Sequence, residues 1–170
     1  MKILFLTIVS VSLLAGCTKK EAAPPLPALT THGANTLGCR INGEVFAASG
    51  ISFQSVTDGV NLIPYTDGWY IRGVAGNKRI YMQIDFASNP TVPATFPLGR
   101  REPFRGRYMY FPDGTVPSGS TEWLTDESRT GTVTVTSYTK TWASGTFQFD
   151  AMNGDSNIVK IEDGRFDISF

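Results

Sequence analysis

Glu122 stands beside Trp123 in the stretch TEWLTDE, with Asp126 and Glu127 close behind. A glycosidase requires two carboxylates roughly 5 to 10 Å apart, and a Trp face is a platform on which a sugar ring stacks. Glu122, Asp126 and Glu127 are therefore the candidate carboxylates for a glycan-active hydrolase. A Thr-, Glu-, Asp- and Ser-rich stretch ahead of a strand is also the composition of a solvated loop, and that plainer reading is preferred. A second constellation lies in FPLGRREPFRGRYMYF, Phe96 to Phe111. Arg100, Arg101, Arg105 and Arg107 are interleaved there with Phe104, Tyr108, Tyr110 and Phe111. Arginine and aromatic residues are enriched at recognition surfaces, and a guanidinium fork matches anionic groups. Arg100, Arg101, Arg105, Arg107, Tyr108 and Tyr110 thus form a candidate ligand-binding set for an anionic glycan or an envelope protein. If a strand starts by Arg105, its period of two sets Arg105 and Arg107 on the face opposite Tyr108 and Tyr110. A single patch then needs the preceding loop to fold over, and without that the segment is a charged loop entering a core strand.

Other catalytic arrangements lack their parts. The chain has one histidine, His32, placed ahead of the first strand where no rigid scaffold holds it beside a nucleophile. One histidine and one remaining cysteine cannot fill a zinc shell. Asn153, Asp155 and Asn157 in DAMNGDSN have the alternate spacing of a calcium loop, but the glycine is misplaced and no Glu stands at the twelfth position. Asn, Gly and Asp are equally the residues of a hairpin turn, which is the expectation here. No catalytic residue, metal or cofactor is expected, and the chain is read as a non-enzyme.

The front of the chain carries an address. Met1 and Lys2 precede an apolar run from Ile3 to Ala15, about 13 residues, short of the roughly 20 that span a bilayer as a helix. A basic start, a short apolar core and small residues before a cut site make a secretory signal. Leu13, Leu14, Ala15, Gly16 and Cys17 look like a bacterial lipobox, so Cys17 is the expected lipidation site, carrying palmitate-like chains. Pro24, Pro25 and Pro27 bias the next segment to an extended, semi-rigid stalk. Thr18 is not the Asp of an inner-membrane retention signal, which favours the outer membrane. Lys19, Lys20 and Glu21 partly resemble the export signals of surface lipoproteins. The expected partner is the membrane, through the anchor.

Loss of the signal removes Lys2 from 15 basic residues and leaves 14 against 15 acidic ones. A near-neutral domain has no field for gathering nucleic acid. With Cys17 acylated, Cys39 has no disulfide partner and is expected to be a small buried hydrophobe.

From Leu37 onward apolar residues recur at every second position between turn residues about ten apart, the pattern of an antiparallel all-β domain. Asn42-Gly43 marks a tight hairpin, because a type I′ turn needs positive φ at both positions. Ile80, Met82 and Ile84 share one strand face; Val133 and Val135, Phe147 and Phe149, and Phe166, Ile168 and Phe170 repeat the alternation. Short connections predict a meander. Two closures satisfy it: a two-sheet sandwich, preferred because the inward residues are bulky, and an up-and-down, lipocalin-like barrel. The expected organisation is a signal over 1–16, a lipidated Cys and stalk over 17–36, and one all-β domain over 37–170.

Particular words carry a resemblance: NTLGC and ING at Asn35 to Gly43, FPL at Phe96, GTVTV at Gly131, SGTFQF at Ser144 and DGRFDI at Asp163. In this order they resemble a family of small Bacteroidota lipoproteins. The resemblance implies a lipobox, a stalk and a β domain, and it carries no activity, cofactor or catalytic residue. The expected function is that of a lipid-anchored cell-envelope protein, surface-exposed, acting as a binding or structural module; the alternative is a glycan-active hydrolase using paired carboxylates.

Overall fold

The computed structural model describes residues 25–52, 57–86, 90–99, 105–110 and 121–170. Cys17, the signal, Arg100 and Arg101 lie outside the described residues. Among the described residues eleven strands follow one another: β1 (Thr36–Ile41), β2 (Glu44–Ser49), β3 (Gly59–Tyr65), β4 (Gly68–Ala75), β5 (Lys78–Asp85), β6 (Ala94–Leu98), β7 (Arg105–Tyr110), β8 (Thr121–Leu124), β9 (Gly131–Tyr138), β10 (Trp142–Met152) and β11 (Ile158–Ser169). The fold is all-β, and every named strand pair is antiparallel.

The strands form one sheet in the order β2-β1-β11-β10-β8-β7-β5-β4-β3, with β9 on β10 and β6 on β9. Most neighbours in sequence pair, as a meander requires; β6 leaves the path, so β5 pairs with β7. The long strand β10 is where the sheet forks, its Ala143–Phe149 stretch pairing with β9 and its Met152 reaching Leu124 of β8. At the far end of the path β3 comes back to the chain just after β2: the Val60 N–H donates to Gly50 O at 2.7 Å and the Ser52 N–H to Val60 O at 2.9 Å. The sheet is therefore nearly barrel-shaped, closer to the second of the two closures open to the sequence. The bulk of the inward residues, which favoured a sandwich, instead fills the barrel.

The interior follows the alternation. Ile80, Met82, Ile84, Val133, Val135 and Ile168 are fully buried, and Phe147, Phe149 and Phe166 nearly so. The rings fit because glycine stands directly across the ladder from each: Gly131 from Phe149, Gly145 from Phe166 and Gly164 from Phe147. A Cβ on Gly145 would lie 2.8 Å from the Phe166 ring, and one on Gly106 would lie 2.9 Å from the Phe149 ring. Cys39 is buried as expected, and burial pushes its thiol up to about 12, against the smaller opposing effect of Lys78.

The barrel has two unlike ends. Where β4 begins and β5, β9 and β11 finish, Trp69 packs edge-on to Phe86 at 5.0 Å, beside Tyr138 at 5.0 Å and Phe170 at 6.2 Å. These rings plug that end. The other end carries the Asn42-Gly43 turn, with φ of 50° and 86° as a type I′ turn demands, and the β10–β11 hairpin. Asn42 ties the turn to β11: its side-chain oxygen accepts from the Lys160 N–H at 2.9 Å.

The boundary expected at Thr36 moves toward the N-terminus. Asp167 belongs to the outward face of β11 yet is only 1% exposed, because the preceding segment covers it. Its carboxylate accepts from the Thr30 hydroxyl at 2.6 Å and from the N–H groups of His32, Gly33 and Ala34 at 3.2, 2.8 and 3.0 Å. Asn35 and Gly33 add bonds to Ser169, and Arg165 reaches Pro27 O at 3.3 Å. Residues 27–35 are thus part of the domain rather than free stalk, since a buried carboxylate must find donors.

Burial pushes the Asp167 carboxyl up, but these four hydrogen bonds outweigh it and hold it below the ordinary value of 3.8. A depressed carboxyl contributes stability that is present above the unfolded pKa and lost as pH falls through the folded one. Asp167→Asn should cost about 1.5–3 kcal/mol at neutral pH and remove part of the loss of stability below about pH 4, read by urea unfolding across pH. Phe149→Ala, which empties space between Gly106 and Gly131, should cost about 3–5 kcal/mol in the same assay.

Candidate functional site

Strand β7 separates the arginines from the tyrosines, as its period of two foretells. Gly106 and Tyr108 are buried toward the interior, with Tyr110 on the same face, and Arg105 and Arg107 project from the outer face. On that outer face Arg105 and Arg107 line a small cleft of about 80 Å³ with Tyr70, Tyr81 and Gln83. Arg107 faces Tyr81 across the ladder, its guanidinium carbon 5.3 Å from the ring centroid. Burial pushes the Tyr70 phenol up to about 12, with Tyr81 acting the same way and Arg107 and Arg72 opposing.

Glu122 is the partner of Arg107 in a close ion pair between β8 and β7. The two side chains are 37% and 38% exposed, so the pair is a surface one and contributes about 0–1 kcal/mol. Its importance is in charge: the carboxylate most suggestive of hydrolysis and an arginine of the binding set neutralise each other. Asp126 turns back onto its own loop, accepting from the N–H groups of Ser128 and Arg129 at 2.7 and 2.8 Å and from the Arg129 guanidinium at 2.8 Å. The backbone bonds from Arg129 and Ser128 hold its carboxyl below the usual range. Glu127 is exposed. Glu122 and Asp126 are each engaged elsewhere, so they do not form a pair facing a shared substrate. Trp123 points to the other face of β8 from Glu122, which dissolves the carboxylate–Trp juxtaposition read along the chain.

His32 is exposed and lies in the segment clamped by Asp167. The 153–157 stretch is a turn: the Asn153 side-chain oxygen accepts from the N–H groups of Asp155 and Asn157 at 3.1 and 2.8 Å, which occupies the atom a cation would need. Among the described residues no group of three or more His, Cys, Asp or Glu is placed to hold a metal ion.

The tyrosines of the binding set lead to a larger feature. At the end of the barrel opposite the Trp69 plug, a cavity of about 480 Å³ opens to solvent. Tyr108, Tyr110 and Trp123 line it from β7 and β8; Ile41, Asn42 and Glu44 from the first hairpin; Lys78 from β5; and Asn157, Ile158 and Val159 from the last hairpin. Tyr108 and Trp123 are direct partners across the β7–β8 ladder, their rings 5.1 Å apart and inclined at 35°. Burial pushes the Tyr108 phenol up to about 12, and Tyr110, Glu44 and Cys39 act in the same direction, so it is a neutral hydroxyl. Lys78 and Glu44 form an ion pair of 3.2 Å on the rim. Below Tyr108 the barrel is filled, with Ile80 and Met82 fully buried. The cleft is therefore a shallow, aromatic-floored and charge-balanced dish.

Of its lining, sequence reasoning singled out Tyr108 and Tyr110 as ligand-binding residues and Trp123 as a sugar platform. Ile41, Glu44, Lys78 and Asn157 were missed, because each sits beside a hairpin turn and nothing local marks which turns share an end of the barrel. The parity of the strands carries that information once their order is known. Compared with protein-family models, with curated proteins and with solved structures, the chain matches none.

Proposed function

We propose that this chain is a lipid-anchored cell-envelope protein whose β domain acts as a binding module through the cleft at its open end. The observation that carries the reading is the cleft itself: a cavity of about 480 Å³ at one end of the barrel, floored by the buried Tyr108 and lined by the half-buried Tyr110 and Trp123. Ligand sites favour barrel mouths, and an aromatic floor with a few polar groups on the rim is their usual chemistry. The anchor rests on the Leu13–Cys17 lipobox-like stretch and the proline-rich segment after it, and the order of sequence words shared with small Bacteroidota lipoproteins points the same way. The arginine-based reading is weaker, since Arg107 is neutralised by Glu122. Hydrolysis by paired carboxylates loses its support for the same reason, together with the inward turn of Asp126.

Two measurements test the proposal. Metabolic labelling with a fatty-acid probe should be lost in Cys17→Ser, and that variant should leave the membrane fraction; persistent labelling overturns the anchor. The side-chain NMR signals of Tyr110 and Trp123 should move when the intact protein meets an extract of envelope and extracellular material, while those of the Trp69 end stay in place. Signals at the mouth that ignore the extract overturn the binding module.

A further inference from the structure

We infer that the mouth cleft takes a neutral carbohydrate, its pyranose rings laid on Trp123 and Tyr110 and its hydroxyls bonded by the Glu44–Lys78 pair and Asn157. This rests on the binding-module reading and adds the class of ligand.

The depth of the cleft comes first. Tyr108 forms its floor and is itself buried, and beneath it the interior is closed by fully buried side chains. An acyl chain needs an apolar tunnel, and this site offers only a dish, although its volume lies within the roughly 300–1,000 Å³ of ligand sites. Charge comes next. Glu44 and Lys78 are the charged groups on the lining and they pair with each other, so the cleft offers no net attraction to an anion or a cation. Their geometry still suits hydroxyls: the Glu44 side chain is 77% exposed, which leaves an accepting carboxylate oxygen facing solvent beside a donating ammonium.

The backbone narrows the class further. An extended peptide binds by adding to a sheet edge with unpaired N–H and C=O groups. Most of the mouth instead consists of paired strand ends, with Lys78 opposite Tyr110, Tyr110 opposite Thr121, and Ile41 opposite both Glu44 and Ile161, and only the β10 side of β8, joined at Leu124 to Met152 alone, departs from this. A ligand that suits this site is neutral, rich in hydroxyls, flat on one side and weakly apolar there. A sugar ring meets all four requirements: its axial C–H face covers the half-buried Trp123 and Tyr110 rings, and its equatorial hydroxyls reach the rim.

The test is a titration of the intact protein, followed through the Tyr and Trp side-chain signals. The probes are neutral hexasaccharides of glucose, xylose and mannose, with a uronate oligosaccharide, palmitate and an unstructured peptide beside them. At least one neutral hexasaccharide should move the Tyr110 and Trp123 signals. Trp123→Ala should weaken that binding about tenfold or more, with much of it restored in Trp123→Phe. Glu44→Gln, an exposed change that leaves melting unaltered, should weaken it by about two- to tenfold. If the mouth responds to the envelope extract or to palmitate, peptide or uronate but to none of the neutral sugars, the carbohydrate assignment falls and the binding module stands. A mouth that responds to neither extract nor probes overturns both. Sugar binding undiminished in both Trp123→Ala and Glu44→Gln places the site elsewhere and also overturns the inference.

Discussion

Phe147, Phe149 and Phe166 fit inside the barrel because the residue directly across the ladder from each is glycine. A side chain opposite would collide with the ring, as the 2.8 Å approach to Phe166 from a Cβ on Gly145 makes plain. Large opposite small is how a narrow barrel is filled without voids. The remaining features of the molecule follow from that filling. With rings across the middle and the Trp69 cluster at one end, the aromatic-lined cavity among the described residues lies at the other end, and there it is shallow. The shape of the site is thus set by residues that do not touch it.

The two faces of β7 and β8 show what strand alternation does to a cluster of reactive residue types. Arg105, Arg107 and Glu122 go outward, and Tyr108, Tyr110 and Trp123 go inward. Residues adjacent in the chain end on opposite sides of a wall one backbone thick. Outside, the charges satisfy one another in a half-exposed pair of little energetic weight. Inside, the aromatics keep company with a balanced pair on the rim. The protein's overall neutrality is therefore reproduced locally, at the mouth and at the Arg107–Glu122 pair on the wall.

Much of the wall was legible in the chain. The alternation of Ile80, Met82 and Ile84, or of Phe147 and Phe149, is a local signal, and a half-buried strand can hardly present it otherwise. So is Asn42-Gly43, where two positive φ angles are needed. The division of β7 into an arginine face and a tyrosine face follows from period two alone. Closure was not legible, because it depends on β3 returning to Gly50 and Ser52, a long-range contact with no mark in either segment. The burial of Asp167 was not legible for a related reason: alternation reports which side of the sheet a residue takes and says nothing of what covers that side. The mouth required strand order, since Glu44, Lys78, Tyr110 and Asn157 come from four separate stretches.

The covering of Asp167 also decides how the molecule bears load. Any pull transmitted through the chain ahead of residue 27 arrives at a segment held by the Asp167 and Ser169 bonds and by Arg165 on Pro27 before it reaches β1. Beyond that clamp, β1 is no edge strand; it lies between β2 and β11, hydrogen-bonded on both sides. Tension therefore meets two successive sets of bonds, the clamp first and the ladders of β1 second. On the anchored reading proposed above, a single buried carboxylate thus stands between the tether and the barrel wall.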